Sequence, residues 1–303
     1  MKPRNINVVS LFDGISCAQQ ALKDLGYTVR YFASEIEPEP MAVTEANHPG
    51  TVQLGDVRKI SYKAPHLFYG DGHKPVIELP TVDLLIGGSP CQDLSAAKPN
   101  REGLKGERSG LFYEYLRILK EIKPKYFVLE NVASMTDESR DEITRQLGVE
   151  PIMIDAALVS AQERKRYFWT NIPGVEQPKD RGIKIRDIMQ SGVEREYLKT
   201  PGLRKTKNGV AWDSSGKGYA SSNDRARNLD CKSPTVPTAR TMTKLNVVMD
   251  DGRVARMTYN EVERLQGLKD DYTIAIKSKE KRGGAIGNGF NVEVIKHVLS
   301  YMV

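Results

Sequence analysis

Five short apolar runs in the first 130 residues constrain this chain more than any other feature. They fall at residues 7–12, 29–33, 52–54, 82–86 and 126–129, and each has the length of a buried strand and not of a helix. The stretches between them read differently. Residues 17–25 carry Ala18, Ala21, Leu22 and Leu25 at helical spacing and stop at Gly26, a natural C-terminal glycine. Residues 38–46 predict a short helix with prolines near its start, and residues 111–122 have helical periodicity again, with Phe112, Tyr113 and Tyr115 read as core. Residues 61–80 read as a variable loop. Strands alternating with helices predict an α/β fold with a doubly wound, mostly parallel, Rossmann-like sheet, which binds ligands beyond the carboxyl ends of its strands.

Each predicted strand delivers an acid or a thiol at that end: Asp13-Gly14, Glu35, Asp56, Cys91 after Gly87-Gly88-Ser89-Pro90, and Glu130-Asn131. A thiol and a carboxyl on neighbouring strand ends are the groups needed to attack and protonate a pyrimidine ring. Glu35 follows Asp13 by 22 positions, near the roughly 20-residue interval between a glycine turn and a ribose-binding acid. A carboxylate there accepts from both ribose hydroxyls, and Asp56 is placed to accept from an adenine amino group. The turn Phe12-Asp13-Gly14-Ile15-Ser16-Cys17 has one glycine, which leaves less room for a pyrophosphate than for an uncharged or cationic linker. That points to S-adenosylmethionine (SAM) in preference to NAD.

Composition removes other classes. No run approaches the roughly 18 apolar residues of a membrane span, and Met1-Lys2-Pro3-Arg4 leads into a first strand and not a signal peptide. Cys17, Cys91 and Cys231 lie far apart, and His48, His66, His73 and His297 have no metal-ligand spacing. These features argue for a reducing, cytoplasmic setting with no disulfide framework, no metal and no membrane. The formal charge of +6 is uneven: residues 181–244 hold 14 Lys/Arg against 6 Asp/Glu. Such a segment suits a polyanion, and equally a solvated loop.

Three blocks in this order, Pro90-Cys91-Gln92, Glu130-Asn131-Val132 and Gln162-Glu163-Arg164-Lys165-Arg166, resemble the signatures of the DNA cytosine-5 methyltransferase family. The likeness extends through Gly55-Asp56-Val57, Arg256-Met257-Thr258, residues 261–267 and Gly287-Asn288-Gly289. Residues 10–15, Asp93-Leu94-Ser95 and Arg166-Tyr167-Phe168-Trp169 most resemble the branch of animal de novo methyltransferases, in a compact form that suits a bacterial or phage member. Departures are Ser16, Gln92 and Phe290, where relatives carry glycine, asparagine and tryptophan.

The resemblance implies a SAM-dependent methyltransferase fold with a small, irregular target-recognition region. Its expected division is a catalytic and SAM-binding domain over 1–174, recognition over 175–250 and a return over 251–303. It implies methyl transfer from SAM, with S-adenosylhomocysteine (SAH) as product, to C5 of a cytosine flipped from double-stranded DNA. Cys91 would add to C6, Glu130 would donate to N3, Arg164 would hold O2 and orient Glu130, and Arg166 would brace the catalytic loop or contact phosphate. The cofactor would lie on Phe12, Asp13, Gly14, Ile15, Cys17, Glu35, Ile36, Asp56, Val57, Gly88, Pro90, Leu111, Asn288, Gly289 and Phe290. DNA would lie on Ser95, Lys98, Arg101, Arg225, Arg227, Thr235 and Arg240. A monomer is the default, with a homo-oligomer open. The other readings are a transfer RNA cytosine methyltransferase, transfer of a larger group from a modified SAM, and an inactive DNA-binding homologue. A role in restriction-modification is also expected.

Overall fold

In the computed structural model, which describes residues 4–70, 77–90, 109–213, 224–238 and 245–303, the alternation of apolar runs becomes an ordered chain. The elements are β1 (Arg4–Leu11), α1 (Cys17–Asp24), β2 (Tyr27–Ser34), α2 (Pro38–Asn47) and β3 (Val52–Gln53). Then come β4 (Ser61–Lys63), β5 (His66–Phe68), β6 (Ile77–Glu78), β7 (Leu84–Gly87), α3 (Phe112–Ile122), β8 (Tyr126–Val132), α4 (Asp137–Leu147), β9 (Ile152–Asp155) and β10 (Lys165–Thr170). The rest are α5 (Ile185–Ile188), β11 (Arg204–Thr206), β12 (Gly209–Ala211), β13 (Arg225–Asn228), β14 (Asn246–Val248), β15 (Val254–Arg256), α6 (Tyr259–Leu265), α7 (Lys279–Asn288) and α8 (Val292–Leu299).

Contacts divide the chain into two units. The first holds residues 1–154, 165–177 and 294–303, and the second holds 155–164 and 178–293. The expected boundaries differ from these: residues 251–293 sit with the second unit, and the return to the first begins at Val294.

The first unit is built on a sheet of order β3-β2-β1-β7-β8-β10-β9. β1 pairs in parallel with β2 and β7, and β7 with β8, while β10 runs antiparallel to β8. Alternate residues of the central strands point to opposite faces, and both sets are buried. Val9, Leu11, Leu85, Phe127 and Leu129 pack with Phe112, Tyr115 and Ile118 of α3; Val8, Leu84, Ile86 and Val128 are also fully enclosed. This is why the strands read as continuous apolar runs.

Local signals set the helix ends. Pro38 opens α2, Thr136 caps α4 by accepting from Ser139 N–H, and Gly148 closes α4 in the left-handed region. The expected loop over 61–80 is in part ordered: β4, β5 and β6 form a small antiparallel sheet. Tyr62 and Leu67 are buried in the main core, and the Tyr62 hydroxyl donates to the Leu79 carbonyl at 2.8 Å. Strands of two or three residues carry too little periodicity to be read in advance.

The recognition region was expected to be irregular; the second unit instead carries a sheet of order β11-β12-β13-β14-β15. Its core joins Ile185, Leu229, Val236, Leu245, Val247, Met257, Val262, Leu265 and Ile286. Two glycines of α7 lie against the main chain of the 237–238 stretch. A Cβ on Gly287 would sit 2.2 Å from the Pro237 carbonyl oxygen, and one on Gly284 would sit 2.8 Å from that of Thr238. Only glycine permits this approach.

Candidate active site

The turn after β1 combines strain with dense hydrogen bonding. Phe12, Gly14 and Ser16 take φ of 58°, 60° and 57°, a region that costs a residue with a Cβ about 1–2 kcal/mol. Asp13, beneath the turn, is buried; its carboxylate accepts from Ser10 Oγ at 2.6 Å, from Tyr31 Oη at 2.7 Å and from Ser16 Oγ. Burial pushes the Asp13 carboxyl above its ordinary range, the three hydroxyls pull it back, and the nearby Glu35 charge adds to the upward push.

Glu35, at the end of β2, is held by main-chain donors. Its Oε2 accepts from Gly14 N–H at 2.8 Å, and its Oε1 accepts from Ile36 and Glu37 N–H at 2.8 and 2.9 Å. A carboxylate has about four lone-pair directions, so Oε2 keeps one for a ligand. The Ile36 side chain beside it is 63% exposed, an aliphatic surface against which a ring can lie.

Other expected cofactor residues are placed differently. Ile15 and Cys17 are fully enclosed, so their side chains support the turn from within the core. Asp13 likewise spends its oxygens internally. Asp56 caps the short 3-10 helix Val57–Lys59 and holds Arg58 through a fork of 2.6–3.0 Å. The Arg58 guanidinium keeps the Asp56 carboxyl below its usual range. Val57 is buried and Leu111 half-buried against the core.

The end of β7 is built for close approach. A Cβ on Gly87 would meet the Leu11 carbonyl oxygen at 2.7 Å and the Tyr115 ring at 3.2 Å. Ser89 follows, buried, and Asn131 on β8 donates from Nδ2 to the Ser89 carbonyl at 3.2 Å and to Ser89 Oγ at 3.1 Å. Its Oδ1 accepts from Val132 N–H. Asn131 therefore fixes Ser89, immediately before Pro90. The residue stood in a quoted motif but received no role, because only the fold brings Ser89 to it. Cys91, Ser95, Lys98, Arg101 and Arg240 lie outside the described residues.

Glu130 is inside β8 and not beyond its end, since the strand runs on to Val132. Antiparallel pairing sets Phe168 opposite Glu130 and Arg166 opposite Val132, so Arg166 is the diagonal neighbour of Glu130 on one face. Arg166 Nε lies 2.9 Å from Glu130 Oε1, with side chains 16% and 12% exposed. The sequence reading gave the part of orienting Glu130 to Arg164, whereas the ion pair with Glu130 is made by Arg166.

Arg164 belongs to the second unit. Its guanidinium donates to the Gly287 and Gly289 carbonyls at 3.2 and 3.0 Å, and its own N–H donates to Asp155 Oδ1. It is buried and clamps the end of α7. There Asn288 is exposed, while Gly289 and Phe290 are buried.

Around Arg164 the second unit has a buried amide network that sequence reasoning missed. Gln162 Nε2 donates to Gln266 Oε1 and to the Leu265 carbonyl, and its Oε1 accepts from Val236 N–H at 3.0 Å. Thr235 Oγ1 donates to the Glu163 carbonyl at 2.6 Å. Arg227 is paired with Glu163 at 3.3 Å, whereas Arg225 is exposed on β13. Among the described residues there is no cluster suited to a metal ion, and no helix is long and apolar enough to cross a membrane.

With this geometry in place, comparison with known proteins is decisive: the profile of the C-5 cytosine-specific DNA methylases matches residues 6–303. The chain belongs to this family. Among curated relatives of this DNA methylase, the orphan methyltransferase M.SPRI of Bacillus phage SPR is 32% identical, over 63% of this chain and 44% of its own length. The orphan methyltransferase M.Rho11sI of Bacillus phage rho11s is 37% identical over 45% of this chain and 24% of its own. This chain thus spans less than half the length of those two phage relatives. The type II methyltransferase M.FnuDI of Fusobacterium nucleatum is 26% identical over 95% of this chain and 92% of its own. The fold is shared with the Entamoeba histolytica methyltransferase EhMeth, at a TM-score of 0.72, 17% identity and 98% coverage of both chains. It is shared too with the S. pombe Dnmt2 methyltransferase, at 0.65, 17% identity and 97% coverage of both.

Proposed function

We propose that this DNA methylase transfers a methyl group to C5 of a cytosine extruded from double-stranded DNA, with Cys91 as transient nucleophile. The observation that carries the reading is the Glu130–Arg166 pair on β8 and β10, one residue from the asparagine that fixes Ser89, two positions before Cys91 in the sequence.

Cytosine C5 is a poor nucleophile until a thiolate adds at C6, which turns the ring into an enamine. Glu130, once it has taken up a proton, donates it toward N3 and accepts from the N4 amino group, so charge does not build on the ring as the C6–S bond forms. Arg166 holds Glu130 in place and is the cation positioned to meet O2. C5 then takes the methyl as the sulfonium S–CH3 bond breaks and SAH leaves; water removes the C5 proton, the C6–S bond breaks to release the Cys91 thiolate, and the N3 proton returns to Glu130.

The residues of the 12–16 turn fit SAM, which when bound supplies an electrophilic methyl on a sulfonium. Glu35 keeps a lone pair for a ribose hydroxyl, Ile36 offers an aliphatic face to adenine, and the single-glycine turn suits a linker without phosphates. Gly88, Pro90 and Leu111 would complete the enclosure. The second unit would read the target, with Arg225 on its surface and Arg227 released from Glu163 for DNA. A cytoplasmic place follows from that substrate.

The test is Cys91→Ser, assayed with labelled SAM and with DNA bearing 5-fluorocytosine. Loss of both methylation and covalent trapping, with SAM binding kept, is expected; full activity in this variant would refute the mechanism. Label appearing in RNA and not in DNA would move the substrate assignment.

A further inference from the structure

The Asp13 carboxylate gathers hydroxyls from three segments: Ser10 on β1, Tyr31 on β2, and Ser16 in the turn that opens α1. Ser16 Oγ also lies 2.8 Å from Thr44 Oγ1 on α2. One buried acid therefore fastens three segments beneath the 12–16 turn, and Ser16 carries the link on to α2. Two features of Ser16 indicate what the fastening does. Ser16 stands at the N-cap of α1, where a serine hydroxyl ordinarily accepts from the helix's own N–H groups, yet it makes no such bond. It also takes a left-handed backbone, φ 57°, which residues with a Cβ avoid. Ser16 thus forgoes its cap and accepts strain, and what it gains is the bond to Asp13. The same turn presents Gly14 N–H to Glu35 at 2.8 Å.

We infer that Asp13, with Ser10, Ser16 and Tyr31, is a positioning cluster that holds the 12–16 turn and its Gly14–Glu35 bond in the shape that receives the adenosyl group, without itself touching that group. The inference rests on the reading that this turn takes SAM. It gives Asp13 a different part from the direct contact expected of it.

Ser16→Gly and Tyr31→Phe test it, by calorimetric titration with SAH and by the kinetics of methyl transfer. Glycine tolerates φ near +57° better than serine does. If relief of backbone strain were all that mattered, Ser16→Gly would bind SAH at least as tightly as the unaltered protein. The positioning cluster predicts the opposite: binding weaker by about tenfold in Ser16→Gly and about threefold in Tyr31→Phe, as for the loss of one or two buried hydrogen bonds. KM for SAM should rise by similar factors while kcat at saturation stays within about twofold, because the reacting groups are elsewhere. Unchanged SAH affinity in both variants overturns the inference and leaves the cofactor reading standing. An unaltered protein that binds neither SAH nor SAM overturns both.

Discussion

Arg166→Ala should remove the support of Glu130, and the size of the loss can be worked from the pair itself. Arg166 Nε and Glu130 Oε1 are 2.9 Å apart, and both side chains are largely enclosed. Two unit charges about 4 Å apart at an effective dielectric constant of about 20 attract by about 4 kcal/mol. Desolvation offsets part of that, and stranding one partner of a wholly buried pair costs about 3–5 kcal/mol. The residual exposure here lowers the expected cost to about 2–3 kcal/mol. If the same support acts in the transition state, kcat/KM falls by about 30- to 160-fold. A double-mutant cycle on Glu130→Gln and Arg166→Ala, read by urea unfolding at neutral pH, should give a coupling of about 2 kcal/mol. Arg166→Lys should recover part of it, since an ammonium keeps the charge but not the planar fork. Arg164→Ala should instead add independently to Glu130→Gln, because its guanidinium is spent on the carbonyls of Gly287 and Gly289. Additivity for Arg166 with strong coupling for Arg164 would refute the assignment.

Gly87→Ala should destabilise the protein by about 2–3 kcal/mol, because the new Cβ would meet the Leu11 carbonyl at 2.7 Å; an unchanged urea midpoint would contradict that. Asp13 titrates above its ordinary value of 3.8 through burial, so stability from its neutral form is present below that value and is lost as pH rises through the folded one. The unaltered protein should therefore lose stability relative to Asp13→Asn as pH rises above about 4, and parallel pH profiles would rule this out. Neutralising Arg225 and Arg227 together should lower the slope of log K for DNA against log salt by about 1.8, and an undiminished slope would place the phosphate contacts elsewhere.

The parts of this fold that could be read from sequence are those whose signal is local. Residues 7–12 and 82–86 announce strands because both their faces are buried, and Gly26 marks a helix end because left-handed backbone favours glycine there. The family membership was legible for the same reason, as short blocks in a fixed order. What could not be read depends on pairing between distant segments. Arg164 and Arg166 are two residues apart and alike in chemistry, and only the start of β10 at Lys165 and its antiparallel register with β8 give Glu130 to the second of them. Asn131 gained its role from Ser89, 42 positions away. The second unit's strands escaped notice because they are three or four residues long, and β11 is exposed along its whole length. Asp13 was legible as important but not as enclosed, since its three hydroxyl partners come from separate elements.

The contact between α7 and the 237–238 stretch bears on how this protein can change over time. Gly284 and Gly287 meet carbonyl oxygens there and not side chains. A surface that recognises only main chain is indifferent to which side chains the opposing segment carries. Substitutions at Thr238 can therefore accumulate without disturbing the seat, whereas almost any change at Gly287 would unseat the stretch at once. Variation is thus free on one side of the contact and forbidden on the other. That asymmetry lets the side chain of the opposing stretch vary while the platform beneath it stays fixed.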